Sequence, residues 1–245
     1  MKKTALLSLV VVASVSAQAP EPPLSDKRLT VHTLLREDVF AGTLRNDLTQ
    51  FARAERNAAT LMTERPDQRG NILSWQGGMV LYRAVRAHEA GQAAEFQRLY
   101  QQARDTFAEA GKATSGNEGV AAITGGSIAL LADRLPADQR PALWALAYDS
   151  YMTLWKQQGP AIDKLPPHHR GEVLSGLALS AQRTGRQEEA SQFVDKMLTL
   201  LQGTPYEATA KQWKSDPSTV ASSNLTCKSC HEPGRLSPTL SRLAK

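Results

Sequence analysis

The chain has two cysteines, and both fall in one five-residue window, Cys227-Lys228-Ser229-Cys230-His231. Two thiols held two residues apart, with a histidine directly after the second, have the spacing for covalent haem attachment. Each thiol adds to one vinyl group of the macrocycle, and the adjacent imidazole faces the iron as an axial ligand. Other uses of the pair are weaker. A thioredoxin-like dithiol needs a βαβ setting, and strand patterns are missing here. Zinc needs further Cys or His ligands, and none stands near the window in sequence. A disulfide between these two would close almost no loop and so constrain little. The expected cofactor is one covalent haem c, with Cys227 and Cys230 as attachment sites and His231 as the iron ligand.

Cys227 to Arg235 reads C-K-S-C-H-E-P-G-R. This resembles the C-x-x-C-H-x-x-x-R end of class II cytochromes c, the helical-bundle type that includes cytochrome c-prime. The resemblance implies a propionate partner in Arg235. It spans little beyond this stretch, and Pro233-Gly234 departs from it because that part of the family is helical. The haem chemistry is therefore carried over and the family's fold is not. A class I cytochrome domain would place a methionine ligand well after the motif, and no methionine follows Met197.

The sixth position on the iron decides mechanism. Two strong ligands suit electron transfer, whereas one vacant position suits gas binding or peroxide chemistry. Donors elsewhere in the chain are Met62, Met79, Met152, Met197, His32, His88, His168 and His169. A methionine on an apolar helix face is more often core filler than ligand. His168-His169 follows Pro166-Pro167, which reads as a loop and so as a solvated pair.

The elements that must hold this site are helical. Ile72, Trp75, Met79, Tyr82 and Val85 recur at spacings of three or four, and so line one helix face, with Gly91 after it. Phe96, Leu99, Ala103 and Phe107 mark a second helix, followed by a turn over 111–116. Ser115 and Glu118 have capping-box spacing ahead of Val120, Ile123, Ile128 and Leu131; Gly125-Gly126 weakens that pattern. A fourth helix carries Leu143 to Leu154. Gly159-Pro160 and Pro166-Pro167 bracket a loop. Val173 to Ala181, ended by Gly185, and Ala190 to Leu201 complete the series, with weaker pattern over 29–38 and 44–65. Pairs joined by short turns, at a period of roughly 45 residues near the start, indicate stacked hairpins. The pair from Leu174 to Met197 resembles a tetratricopeptide repeat in Leu174, Leu177, Ala178, Ala181, Gly185, Ala190, Val194 and Met197. The expected fold is all-α: stacked helical hairpins or a helical bundle, with a C-terminal haem-binding segment.

The N-terminus reads as a secretory signal. Lys2 and Lys3 precede an apolar run over 5–15, with small residues ahead of a cleavage point after Ala17. The run is shorter than the roughly 18 residues that span a bilayer, so no membrane span is expected after cleavage. The expected organisation is a signal peptide over 1–17, a disordered lead-in over 18–26, a helical domain over 27–203, a linker over 204–224, and a haem-attachment segment over 225–245 that packs on the helical body. Loss of Lys2 and Lys3 lowers the net charge from +5 to +3. That charge is dispersed, so nucleic acid is not an expected partner.

These features lead to an exported, periplasmic monohaem c-type cytochrome that exchanges electrons with a redox partner protein, a carrier rather than a catalyst. Two other readings stay open. One is a repeat scaffold whose helical groove binds a protein partner, with the haem secondary. The other is a haem-based gas sensor or peroxidase-like enzyme, which would need a distal acid–base residue.

Overall fold

The computed structural model describes residues 21–222 apart from residue 115. The window from Cys227 to His231, Arg235 and the signal sequence lie outside the described residues. The described chain is helical throughout, as α1 (Val31–Arg45), α2 (Leu48–Glu64), α3 (Arg69–Glu89), α4 (Ala93–Ala113), α5 (Glu118–Leu131), α6 (Arg140–Gln158), α7 (Pro167–Arg183), α8 (Gln187–Leu200) and α9 (Pro205–Ser215). A last 3-10 segment covers Pro217–Ser222. None of these helices is long and apolar enough to cross a membrane.

Short polar side chains start several of them. Thr30 accepts from the Thr33 amide at 3.1 Å, Asp47 from the Gln50 amide at 3.0 Å, and Asn117 from the Val120 amide at 3.1 Å. Each satisfies one amide that the first turn leaves without a carbonyl. Asn117, rather than the expected Ser115, therefore caps α5. The turn predicted from residue 111 begins later, because Gly111 stays inside α4. The weak pattern near the N-terminus resolves into α1 and α2, divided at Asn46, whose φ of 59° ends α1.

Consecutive helices pack as pairs and the pairs stack. The pairs are α1 with α2, α3 with α4, α5 with α6 and α7 with α8. The first helices also meet across pairs, α1 on α3, α3 on α5 and α5 on α7. This is the stacked-hairpin form of the expected all-α fold. The stack closes because helical glycines let rings approach the backbone: a Cβ at Gly176 of α7 would lie 2.2 Å from the Tyr151 ring of α6. Tyr151 is fully buried there.

Two stretches expected to be unstructured belong to the fold. The supposed linker over 204–224 contains α9, whose Tyr206, Ala210 and Trp213 are buried. Burying side chains as large as Tyr206 and Trp213 stabilises by about 1.5–3 kcal/mol each, enough to dock a helix this short. The supposed lead-in is also anchored. The buried guanidinium of Arg65 donates to the carbonyls of Leu29 at 2.6 Å and Asp26 at 2.9 Å, and to that of Leu24. Residues 18–20 lie outside the described residues.

Candidate functional site

The first helices of the four pairs enclose a cavity of about 510 Å³, within the roughly 300–1,000 Å³ of small-molecule and cofactor sites. α1 presents His32, Arg36, Phe40 and Thr43, residues three or four apart and therefore on one face. α3 contributes Asn71, Trp75 and Gly78. α5 contributes Gly119, Ala122, Ile123, Gly126, Ser127 and Leu130, and α7 contributes His168, His169, Glu172 and Val173. The space exists because α5 presents small residues to it. A Cβ at Gly126 would meet only Glu172 Oε1, at 3.9 Å. The Gly125-Gly126 pair, which weakened the helical pattern, serves two surfaces of one unbroken helix: Gly125 faces the Tyr151 ring and Gly126 faces the cavity.

Three histidines share this cavity. His32 stands in the first turn of α1, with its ring 5.4 Å from that of Trp75 at 34°. Trp75 is in turn met edge-on by Phe40 at 6.0 Å. The surface His32 keeps opens onto the cavity. Burial by the surrounding wall lowers its pKa to about 4, helped by the positive charge of Arg36 and the nearby His168 and His169. Among the described residues, neither ring nitrogen of His32 has a hydrogen-bond partner.

His168 and His169 lie in the first turn of α7, with ring centroids 5.8 Å apart. The expectation of a loop is corrected here, while the expected exposure holds: His169 is exposed and the His168 side chain is half-buried. Pro167 occupies the first position of the helix, where its missing amide costs no hydrogen bond, so the prolines begin α7 rather than exclude it. His168 Nδ1 stands 3.4 Å from Tyr206 Oη, and its Nε2 stands 3.8 Å from Glu172 Oε2. Burial raises the Glu172 carboxyl to about 7, toward its neutral form.

The other proposed donors point elsewhere. Met79 and Met197 are buried in the core, Met62 and Met152 pack on its edge, and His88 stands beside Phe96 at 5.4 Å. None of these five lines the cavity. Among the described residues, no group of three or more His, Cys, Asp or Glu side chains is placed to hold a metal ion unaided.

The lining suits a flat, mostly apolar group with a charged edge. Val39, Phe40, Ile123, Leu130 and Val173 give apolar wall, and Arg36 gives a cation. Trp75 lines the cavity with its ring, and its buried indole N–H has no acceptor among the described residues. A haem with its propionates fits this set of residues. Compared with known protein families, curated proteins and solved structures, the chain matches none.

Proposed function

We propose that the protein is an exported monohaem c-type cytochrome that transfers electrons to or from a redox partner protein. The observation that carries this reading is a juxtaposition. A cofactor-sized cavity with three histidines on its wall includes α7, and the last described segment, Pro217–Ser222, packs on that same helix, five residues before Cys227. In this reading Cys227 and Cys230 would hold the haem through thioether bonds and His231 would ligate its iron. Bound there, the haem supplies one-electron redox chemistry. The apolar wall of Val39, Phe40, Ile123, Leu130 and Val173 would pack against the group, and Arg36 and the histidines would stand at its polar edge. Lys2, Lys3 and the apolar run over 5–15 support export, which is also where such attachment is made useful by an oxidising, partner-rich compartment. Arg235 is assigned to a propionate on the strength of the class II resemblance alone.

The test is an optical spectrum of the purified full chain, oxidised and reduced, with and without carbon monoxide, beside a haem stain after denaturing electrophoresis. Covalent haem whose reduced spectrum ignores carbon monoxide is expected. A chain without covalent haem overturns the reading. Rapid carbon monoxide binding would transfer the function to gas sensing or peroxide chemistry. Cys227→Ala should lose normal two-bond attachment, and full attachment in that variant would refute the vinyl assignment.

A further inference from the structure

Several charged groups outside the histidine cavity satisfy one another. Arg69 pairs with Glu109 at the open hollow beside Pro66, and Asp38 pairs with Arg53 in the interior. Arginines near the hairpin turns pair likewise, Arg83 with Glu55, Arg134 with Glu89 and Arg183 with Asp133. The cavity differs, because its wall sets ionisable groups beside apolar ones around room for a guest.

We infer that this cavity is a binding site for aromatic organic anions, and that Arg36 of α1 receives the anionic group. The site is made of described residues alone and does not depend on the cysteines. Its class of guest includes a haem, through the propionates, and also free aromatic carboxylates and sulfonates. The cytochrome reading therefore supplies one guest and not the site itself.

Three observations carry this. The first is the charge of the wall. Among the described residues that line the cavity, Arg36 is the one arginine or lysine. Of the two acids there, burial moves the Glu172 carboxyl toward its neutral form, and Glu118 accepts from the Gln158 side-chain amide at 3.1 Å. The second is the backbone. The first turns of α1, α3, α5 and α7 all reach the wall, at Val31, Asn71, Gly119 and His168, against one C-terminal end, that of α6 at Gln158. Each helix start carries a partial positive charge, and Arg36 follows in the second turn of α1. The third is the body that the guest must bring. Phe40 stands four residues after Arg36, on the same face of α1, and Trp75, Ile123, Leu130 and Val173 continue the apolar wall. Gly126 leaves space in front of them, since a Cβ there would meet only Glu172 Oε1, at 3.9 Å. An apolar body with an anionic edge matches all three.

The experiment measures binding of two dyes by equilibrium dialysis. One is 8-anilinonaphthalene-1-sulfonate, and the other is N-phenyl-1-naphthylamine, the same ring system without the sulfonate. The chains are the full protein and its Cys227→Ala, Cys230→Ala double variant, with circular dichroism confirming each fold; should the double variant not fold, the full chain produced in cells that cannot attach haem replaces it. The haem-free chain should bind the sulfonate more tightly than the neutral dye. In that background Arg36→Gln should weaken the sulfonate about tenfold, the usual worth of a hydrogen bond to a charged group, and leave the neutral dye unchanged. Arg36→Lys should recover part of the loss, and Gly126→Leu should weaken both dyes. In the full chain, exclusion of both dyes by an attached haem identifies the haem as the guest, whereas undiminished binding identifies a free anion. A haem-free chain that binds neither dye or does not prefer the sulfonate overturns the inference. So does a preference that survives Arg36→Gln, or a folded Gly126→Leu chain that binds as before. A haem stain of the full chain judges the cytochrome reading separately.

Discussion

The imidazole of His32 rests against the indole of Trp75, with ring centroids 5.4 Å apart and planes inclined by 34°. One partner is structural and the other faces the cavity, so their deletions should differ. Trp75 is 3% exposed, and truncating it to alanine removes a large buried ring; a loss of about 3–5 kcal/mol is expected. His32→Ala removes a ring whose far side meets only the cavity, and should cost below about 1 kcal/mol. Urea unfolding of the two variants checks this. Equal losses would mean that His32 is held for packing rather than for a guest.

Two titratable groups of the cavity, His32 and Glu172, pull stability in opposite directions with pH. Burial holds the His32 imidazole at about 4 in the folded chain, against about 6.5 for a free imidazole. Between those values the unfolded chain takes up a proton that the folded one refuses, so this group makes stability fall as pH falls through that range. Glu172 has a folded pKa of about 7 against 4.5. There the folded chain binds the extra proton, so this group makes stability fall as pH rises from 4.5 to 7. His32→Gln should therefore leave a stability that declines with rising pH, and Glu172→Gln one that increases over the same interval. Urea midpoints at several pH values decide it; parallel curves for parent and variants would contradict both shifts.

Asp38 of α1 and Arg53 of α2 form a two-pronged pair at 2.6 and 2.7 Å, with both side chains buried. Losing Asp38 leaves the buried Arg53 cation facing only the exposed Glu21 carboxylate, 3.6 Å away. Asp38→Ala should cost about 3–5 kcal/mol. The double replacement Asp38→Leu with Arg53→Met should cost much less, because no charge is stranded. Thermal unfolding of the three chains measures the difference, and a double variant as unstable as the single one would argue against stranding as the cause.

The helices were legible where large apolar residues recur at helical spacing, even in helices buried on most sides. Trp75, Met79 and Tyr82 of α3, and Leu174, Leu177 and Ala178 of α7, announce themselves by spacing. α1 was blurred because it is used on two sides. Leu34, Leu35 and Asp38 go inward, while His32, Arg36, Val39 and Phe40 line the cavity. Polar residues on that second face break the period that pattern-reading relies on. α9 was missed because its stripe, Tyr206, Ala210 and Trp213, is brief and set among polar residues. The cavity itself had no local signal. It is made by four helices distant in sequence, and its clearest mark, Gly126, reads in isolation as a weak spot in a helix.

That glycine gives the sharpest separation of fold from site. Gly126→Ala meets only Glu172 Oε1, at the ordinary distance of 3.9 Å, and alanine is favoured over glycine within a helix by about 0.5–1 kcal/mol. The variant should be more stable than the parent. Gly176→Ala is the opposite case: its Cβ would sit 2.2 Å from the buried Tyr151 ring, and forcing the ring aside should cost about 1–3 kcal/mol or more. Gly126→Leu extends the first substitution into the cavity. It should fold, because the added atoms enter space rather than packed side chains, and it should hinder whatever occupies that space. Circular dichroism and urea unfolding report the fold, and the optical spectrum of the haem reports the site. A folded Gly126→Leu chain with an unchanged spectrum would mean that the haem is seated somewhere other than between α1 and α7.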